Sequence, residues 1–416
     1  MTDAVRDVRM HGFRERTSVS AAIAILERRT SPLGVERVGI GAAHGRVAAE
    51  AVIASVDVPA FDRSAMDGFA VVGESTFGAS SQAPVELALI GETKAGRWFG
   101  GTLRSGEAVR ITTGAPIPTG ADAIVMAEVA EAHGDTVRVR EPVAPGKHVS
   151  AVGEDIRRGD LVVERGRRLR PQDVGVLASV GVAELTVVRR PRVSIVITGD
   201  EVLPAGDVPR GALIADADGP MLRALADRDG AGAIELRYLP DDRDAIRARF
   251  AAHDGDVLLV SGGSSVGPED HAPTVLAELG EVAVHGVALR PASPAGFGFL
   301  PGGCPVFLLP GNPVSCLCAY EFFAGPTIRA LGGRSRAWPH RRVKLPLAAK
   351  IVSELGRTDY MRVSIRDGRV APIMTSGASI LSSTTRADGV VIVEAHREGH
   401  GEGEEVEVHL YDEDSR

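Results

Sequence analysis

DVLLVSGGSSVGPEDH, Asp256 to His271, opens as an unbroken apolar run and ends in glycines, serines and paired acids. Val257 to Val260 reads as a strand buried on both faces, the pattern of a parallel sheet with helices on either side. Directly after it come Ser261, Gly262, Gly263, Ser264, Ser265, Val266 and Gly267, then Glu269 and Asp270. Small residues that leave backbone N–H groups exposed suit an anion. Two carboxylates in the same place suit a metal or a hydrogen-bonded base.

The flanking sequence repeats the strand–helix alternation. RVSIVITGDE (192–201) is a second buried strand, followed by GPMLRALADRDGA as a helix and IELRYLPDD as a strand. RDAIRARFAAH and DHAPTVLAELG read as helices on either side of the opening strand, and CPVFLLPGNPVSCLCAYEFF as strand, turn and helix. This spacing predicts a doubly wound, mostly parallel α/β domain over 191–333, with ligands beyond the strand C-terminal ends. Elsewhere the texture changes. Ser18 caps a helical run, VSAAIAILER, and residues 1–59 with 146–190 form an N-terminal and linking region. Residues 60–145 show short strands and glycine turns, an antiparallel β unit expected as a small barrel. Residues 334–416 return to alternating runs such as VVIVEA and EEVEVHLY, a C-terminal β-barrel or sheet. The fold class is therefore multidomain α/β plus β.

Length and composition set the limits. A chain of 416 residues exceeds one core and divides into several domains. A net charge of -8 argues against a nucleic-acid surface, which needs a basic face. No apolar run reaches membrane-spanning length and the N-terminus lacks a signal-peptide core. Three cysteines make no framework of bridges, so the chain is expected in the cytoplasm.

Four stretches carry chemistry. In FLLPGNPVS a strand ends at Pro310-Gly311 and a helix starts at Asn312 or Pro313, turning N–H groups and the positive end of the helix to the sheet edge. Cys316 and Cys318 fall roughly 200° apart on that helix and read as core thiols. The loop at Ser261–Gly267 is an anion nest without the Gly-Lys-Ser/Thr of a Walker loop. Asp200, Glu201, Asp216, Asp218, Asp241, Asp242 and Asp270 gather at the same rim, a donor set for Mg²⁺ with phosphate oxygens, although each acid alone reads as a cap or turn. Finally, FDRSAMDGFAV, RITTGAPIPTGADAIV and GEDIRRGD are turns with Asp or Thr beside glycines.

Taken in order, SAMDGFA, RITTGAPIPTGADAIV, GEDIRRG, RPRVSIVITGDE, SGGSSVG and LPGNPVS resemble the molybdopterin molybdenumtransferase family, the MoeA and gephyrin E-domain type, over nearly the whole chain. The resemblance implies an elongated four-part subunit, a molybdopterin-binding type of α/β domain, and a homodimer. Its active cleft is expected between the α/β domain of one copy and the SAMDG domain of the other. It implies Mg²⁺-dependent insertion of molybdate into adenylated molybdopterin with release of AMP, and possible contact with the molybdopterin adenylyltransferase. Carried over by motif, Asp67, Thr113, Asp155, Glu201, Asp241 and Asp270 are active-site positions. Ser261, Gly262, Gly263, Ser265, Gly267, Pro310, Gly311, Asn312, Arg290 and Arg362 are binding positions, with Arg362 toward molybdate. Glu201, Asp241 and Asp242 are the expected Mg²⁺ ligands.

The chain also departs from the family pattern. Where KPGKP is usual it has RPASP, with Arg290 and Ser293. GxNVR becomes GKHVS, placing Ser150 at an arginine position. DSN becomes DAD at Asp216–Asp218, and Ala378 stands at a serine position beside Ser379. Arginine does not substitute simply for an ammonium group. The alternatives are a diverged relative that binds a pterin or nucleotide with altered chemistry, and a non-enzymatic scaffold.

Overall fold

The computed structural model describes residues 16–263, 270–374 and 380–411. The chain forms two compact units, one of residues 37–187 and the other of residues 188–416 with the chain up to Glu36. No helix among the described residues is long and apolar enough to cross a membrane.

Helix α1 (Val19–Arg29) starts where Ser18 accepts a hydrogen bond from the Ala21 N–H. The sequence reading puts it with the N-terminal region 1–59, but its apolar face packs elsewhere. Val19, Ala22 and Leu26 join the core of the 188–416 unit, against Tyr320–Ala324. Three apolar positions at helical spacing need a partner face, and the α/β layer supplies it.

In the 37–187 unit, six strands run in the order 123–126, 68–71, 107–111, 85–93, 136–139, 130–133. Gly68–Val71 is buried throughout: Phe69 and Val71 enter one core, Ala70 the opposite one. The antiparallel barrel expected from sequence is corrected on two counts. Val85–Thr93 and Glu107–Ile111 run parallel, because the excursion 94–106 carries the chain back to the same end of the sheet. The two edge strands do not pair with each other, so the sheet stays open. Helix α2 (Pro171–Ser179) of this unit is anchored by Asp173, which takes the Arg170 N–H and both the Arg167 and Arg170 guanidiniums.

In the other unit, the strands 233–239, 192–198, 257–261 and 305–309 are parallel neighbours, and 296–299 and 281–285 add antiparallel at one edge. Alternate residues of each parallel strand face opposite layers. Val257 and Leu259 pack with α3 (Asp218–Arg228) and α6 (Pro313–Ala319). Leu258 and Val260 pack with α4 (Arg243–Ala251) and α5 (Ala272–Leu279). This is the doubly wound arrangement read from the apolar runs. Beyond α6 the helix continues as one π turn, Tyr320–Ala324, into α7 (Gly325–Leu331). Pro326 has no N–H to donate, so the widened turn sits where the α-helical ladder is interrupted. Cys316 and Cys318 are buried free thiols in this helix.

Under that turn lies a buried charge cluster. Asp229 accepts hydrogen bonds from Arg228, Arg329 and Tyr320, and Glu321 accepts two from Arg228 and lies 3.5 Å from the His340 ring. The C-terminal strands follow the order 289–290, 358–366, 389–393, 405–410, 342–346, with 369–374 paired to 358–366. A bridge from Leu347 to Val370 brings the sheet round on itself, around Val363, Val391 and Val408.

Candidate functional site

At the C-terminal ends of the parallel strands, a cavity of about 270 Å³ opens between the tips of 192–198 and 257–261 and the starts of α3 and α6. Thr198, Glu201, Asp216, Asp218, Ser261, Gly262, Gly311 and Asn312 are among the residues that line it. Ligands of open α/β sheets occupy this end because the strand C-termini and helix N-termini converge there.

Glycines shape the entrance. Gly262 (φ 90°) and Gly263 (φ 55°) both lie in the left-handed region. A Cβ on Gly262 would stand 2.3 Å from the Thr198 carbonyl oxygen, so that position demands glycine twice over. Gly311 packs against Gly262, where a Cβ would stand 3.4 Å from the Gly262 Cα.

The floor is polar. Asp216 accepts from the Asp218 and Gly219 N–H groups and from the Tyr238 hydroxyl, closing the first turn of α3. Asp218, 5% exposed, accepts a 2.6 Å hydrogen bond from the Ser261 hydroxyl on one oxygen. The buried Cys316 thiol also reaches this carboxyl, and the Thr198 hydroxyl is buried with no hydrogen-bond partner. Burial pushes the Asp218 carboxyl up to about 7, against the pull of the Ser261 hydrogen bond and with help from the neighbouring Asp216 charge.

The expected residues therefore separate. Glu201, Ser261, Gly262, Gly311 and Asn312 meet at the cavity. Gly263 lies beside it, between Thr198 and Asp241. Pro310 is buried at the end of its strand, and Asp270 precedes α5 on the far side of the glycine loop. Ser265 and Gly267, with Ala378 and Ser379, lie outside the described residues. Asp242, one of the expected Mg²⁺ ligands, is the N-cap of α4, accepting from the Ala245 N–H at 2.8 Å. Among the described residues no three Asp, Glu, His or Cys side chains converge as a metal cage.

Arg290 and Arg362 sit away from the cavity lining. Arg290 pairs at 2.5 Å with buried Asp359, which also takes Arg357 and the Ser353 hydroxyl. Arg362 is buried on strand 358–366 near Tyr360, Tyr411 and Cys318, and burial draws its guanidinium below its ordinary range.

In the 37–187 unit, Asp67 accepts from both the Thr113 N–H (2.7 Å) and its hydroxyl (3.1 Å). The two loops are locked side by side by the Ser64 N–H to the Ala115 carbonyl and the Gly114 N–H to the Ser64 carbonyl. Asp62 takes the Val152 N–H, and the Asp155 N–H donates to the Val58 carbonyl, so GEDI is tied to the same turn. Ser150, at the family's arginine position, donates to Glu154. Asp67, Thr113 and Asp155 are all exposed.

Thr198 is absent from the expected set. Its signal was a polar residue closing an otherwise apolar strand, RVSIVIT. Asp218 reads only as one acid of a rim, because its burial is not visible in the string IADADG.

The chain matches three family models in succession: "MoeA N-terminal region (domain I and II)" over 17–181, "Probable molybdopterin binding domain" over 194–330 and "MoeA C-terminal region (domain IV)" over 344–411. It is 32% identical to a molybdopterin molybdenumtransferase of Staphylococcus aureus, covering 92% of this chain and 90% of that one. It is 36% identical to molybdopterin molybdenumtransferase 2 of Mycobacterium tuberculosis, covering 80% and 84%. A crystal structure of the molybdopterin biosynthesis MoeA protein of Pyrococcus horikoshii superposes with a TM-score of 0.80 at 34% identity, covering 96% of this chain and 100% of that one. Matched from end to end by sequence and by fold, the chain belongs to the MoeA family of molybdopterin biosynthesis proteins.

Proposed function

We propose that this chain is a molybdopterin molybdenumtransferase that inserts molybdate into adenylated molybdopterin, with Mg²⁺, and releases AMP. The observation that carries this reading is the cavity at the strand ends, where a glycine-built entrance stands over a polar floor. Backbone N–H groups at that entrance suit a phosphate, and the enclosed floor suits a ring.

Mg²⁺ takes one or two protein carboxylates and fills its shell with water and substrate phosphates. Glu201 lines the cavity and Asp241 stands beside Gly263, and these are the carboxylates that would hold it. When bound, the ion neutralises charge on the phosphoanhydride that is cleaved. Asp67 fixes Thr113 through two hydrogen bonds, which holds the SAMDG and TTGA loops in one arrangement for the substrate. Arg290 and Arg357 share the buried Asp359, and Arg357 also pairs with Glu354, so the charges of this cluster balance. Working as a homodimer, with delivery of the adenylated pterin by its adenylyltransferase in the cytoplasm, belongs to the same proposal.

The test is AMP release from adenylated molybdopterin and Mg²⁺, with and without micromolar molybdate. Molybdate-stimulated release that chelation abolishes and Asp67→Ala reduces at least about 100-fold, the scale of a lost positioning contact, supports the reading. Tight binding without release removes the transferase assignment.

A further inference from the structure

Two neighbouring acids under the glycine turn are wired differently. Asp216 is satisfied locally, by the Asp218 and Gly219 N–H groups and the Tyr238 hydroxyl. Asp218 instead links three elements. From the first turn of α3 it accepts a 2.6 Å hydrogen bond from the hydroxyl of Ser261, the last residue of strand 257–261. The Cys316 thiol of α6 reaches both the Asp218 carboxyl and the Ser261 hydroxyl, and all three side chains are buried. Gly262 and Gly263 follow at once with their left-handed backbone, and the Gly262 N–H donates to the Leu309 carbonyl. The Ser261 side chain is therefore engaged with the interior, and its contribution at the entrance is backbone. A buried hydrogen bond that fixes this side chain also fixes the turn that starts from it.

We propose that Asp218, held between the Ser261 hydroxyl and the Cys316 thiol, is a positioning residue that sets the glycine turn and, through its own charge, how tightly that turn takes an anion. The inference rests on the reading above that a phosphate meets this turn. Neutral, Asp218 keeps the three elements linked and adds no charge beneath the entrance. Ionised, it stands as a second buried negative charge with Asp216, with Glu201 at the same cavity and Asp241 beside Gly263. The described lining holds no lysine, arginine or histidine to offset it. Burial keeps the Tyr238 hydroxyl and the Cys316 thiol protonated, so neither supplies nor removes charge. Like charges in a poorly solvated site repel strongly. Burial lifts the Asp218 carboxyl to about 7, so both of its forms are populated near neutrality. The family pattern has an amide at this position, which keeps an acceptor for the Ser261 hydroxyl and does not ionise.

The test is the calorimetric affinity of the full chain for AMP from pH 5 to pH 9, with a chelator present so that no divalent ion contributes. Dividing each value by that of Asp218→Asn at the same pH cancels the proton that the phosphate itself takes up. At pH 5 the two proteins bind within about twofold. At pH 9 the wild type binds at least about tenfold more weakly, the scale of one added like charge in a partly screened site. Asp218→Ala is neutral but cannot hold Ser261, and it binds at least about fivefold more weakly than Asp218→Asn at every pH, which separates positioning from charge. Cys316→Ala takes one hydrogen bond from the ionised carboxylate, so its affinity falls off at a higher pH than in the wild type. A wild-type to Asp218→Asn ratio that ignores pH overturns the proposal. So does equal binding by Asp218→Ala and Asp218→Asn, a Cys316→Ala profile that coincides with the wild type, or no binding of AMP at all. The wild-type comparison needs only the nearly isosteric Asp218→Asn to fold. Molybdate-stimulated AMP release with a pH-independent ratio sinks this inference alone, and a pH-dependent ratio without such release sinks only the reaction.

Discussion

Asp218 shows how far one residue's surroundings reach. Its carboxyl titrates near 7 in the folded chain against the ordinary 3.8, because burial penalises the charge. A folded-state value raised above the unfolded one means that folding holds the proton. That contribution is complete below pH 4 and is lost as pH rises from there through about 7. The loss amounts to at most about 4 kcal/mol for a shift of this size. Urea unfolding at pH 5 and pH 8 therefore shows the wild type losing stability relative to Asp218→Asn as pH rises, and parallel pH profiles of the two proteins would refute the assignment. Asp67 behaves oppositely. It is exposed, so Asp67→Ala costs only about 1 kcal/mol of stability, the worth of its hydrogen bonds to Thr113, while the activity it positions falls.

Among the elements, the glycine turn after strand 257–261 and the helix 313–331 decide the site. Gly262→Ala places a Cβ 2.3 Å from the Thr198 carbonyl in a left-handed conformation. A loss of at least about 2 kcal/mol follows, seen as a lowered unfolding midpoint. Glu321, in the π turn, is pushed up by burial but held down near about 2 by the His340 and Arg228 hydrogen bonds. Its pairing contributes stability above its ordinary 4.5, lost only as pH falls toward about 2. Glu321→Gln strands Arg228 in part, and chemical denaturation at pH 7 should register a loss on the order of 3 kcal/mol. The strands and helices themselves were legible: continuous apolar runs such as VLLV and SIVI, broken by glycine, force a sheet covered on both faces. The π turn was not, because Pro326 signals an interruption without saying how the helix absorbs it. The parallel pair 85–93/107–111 was hidden for a similar reason, since pairing direction depends on where a loop returns.

Over the whole molecule, motif order identified the family while tertiary contacts reassigned several residues. Asp242 reads as equal to Asp241 in PDD, and the fold gives it a further part as a helix cap. Arg290 reads as a binding position in RPASP, and it meets Asp359, 69 positions away in the C-terminal sheet. Helix α1 looked like part of the N-terminal region, yet its apolar face completes the α/β core. In each case the residue type was right and its partner came from distant sequence, which a local pattern does not carry. The central claim concerns the joint product of these parts, transfer of molybdenum coupled to cleavage of the adenylated pterin. The most direct measurement is the ratio of molybdenum incorporated into pterin to AMP released, taken with Mg²⁺ over a molybdate titration. Equimolar incorporation and release, both rising with molybdate, is the expected result. AMP release indifferent to molybdate, or pterin left free of molybdenum, would contradict the account.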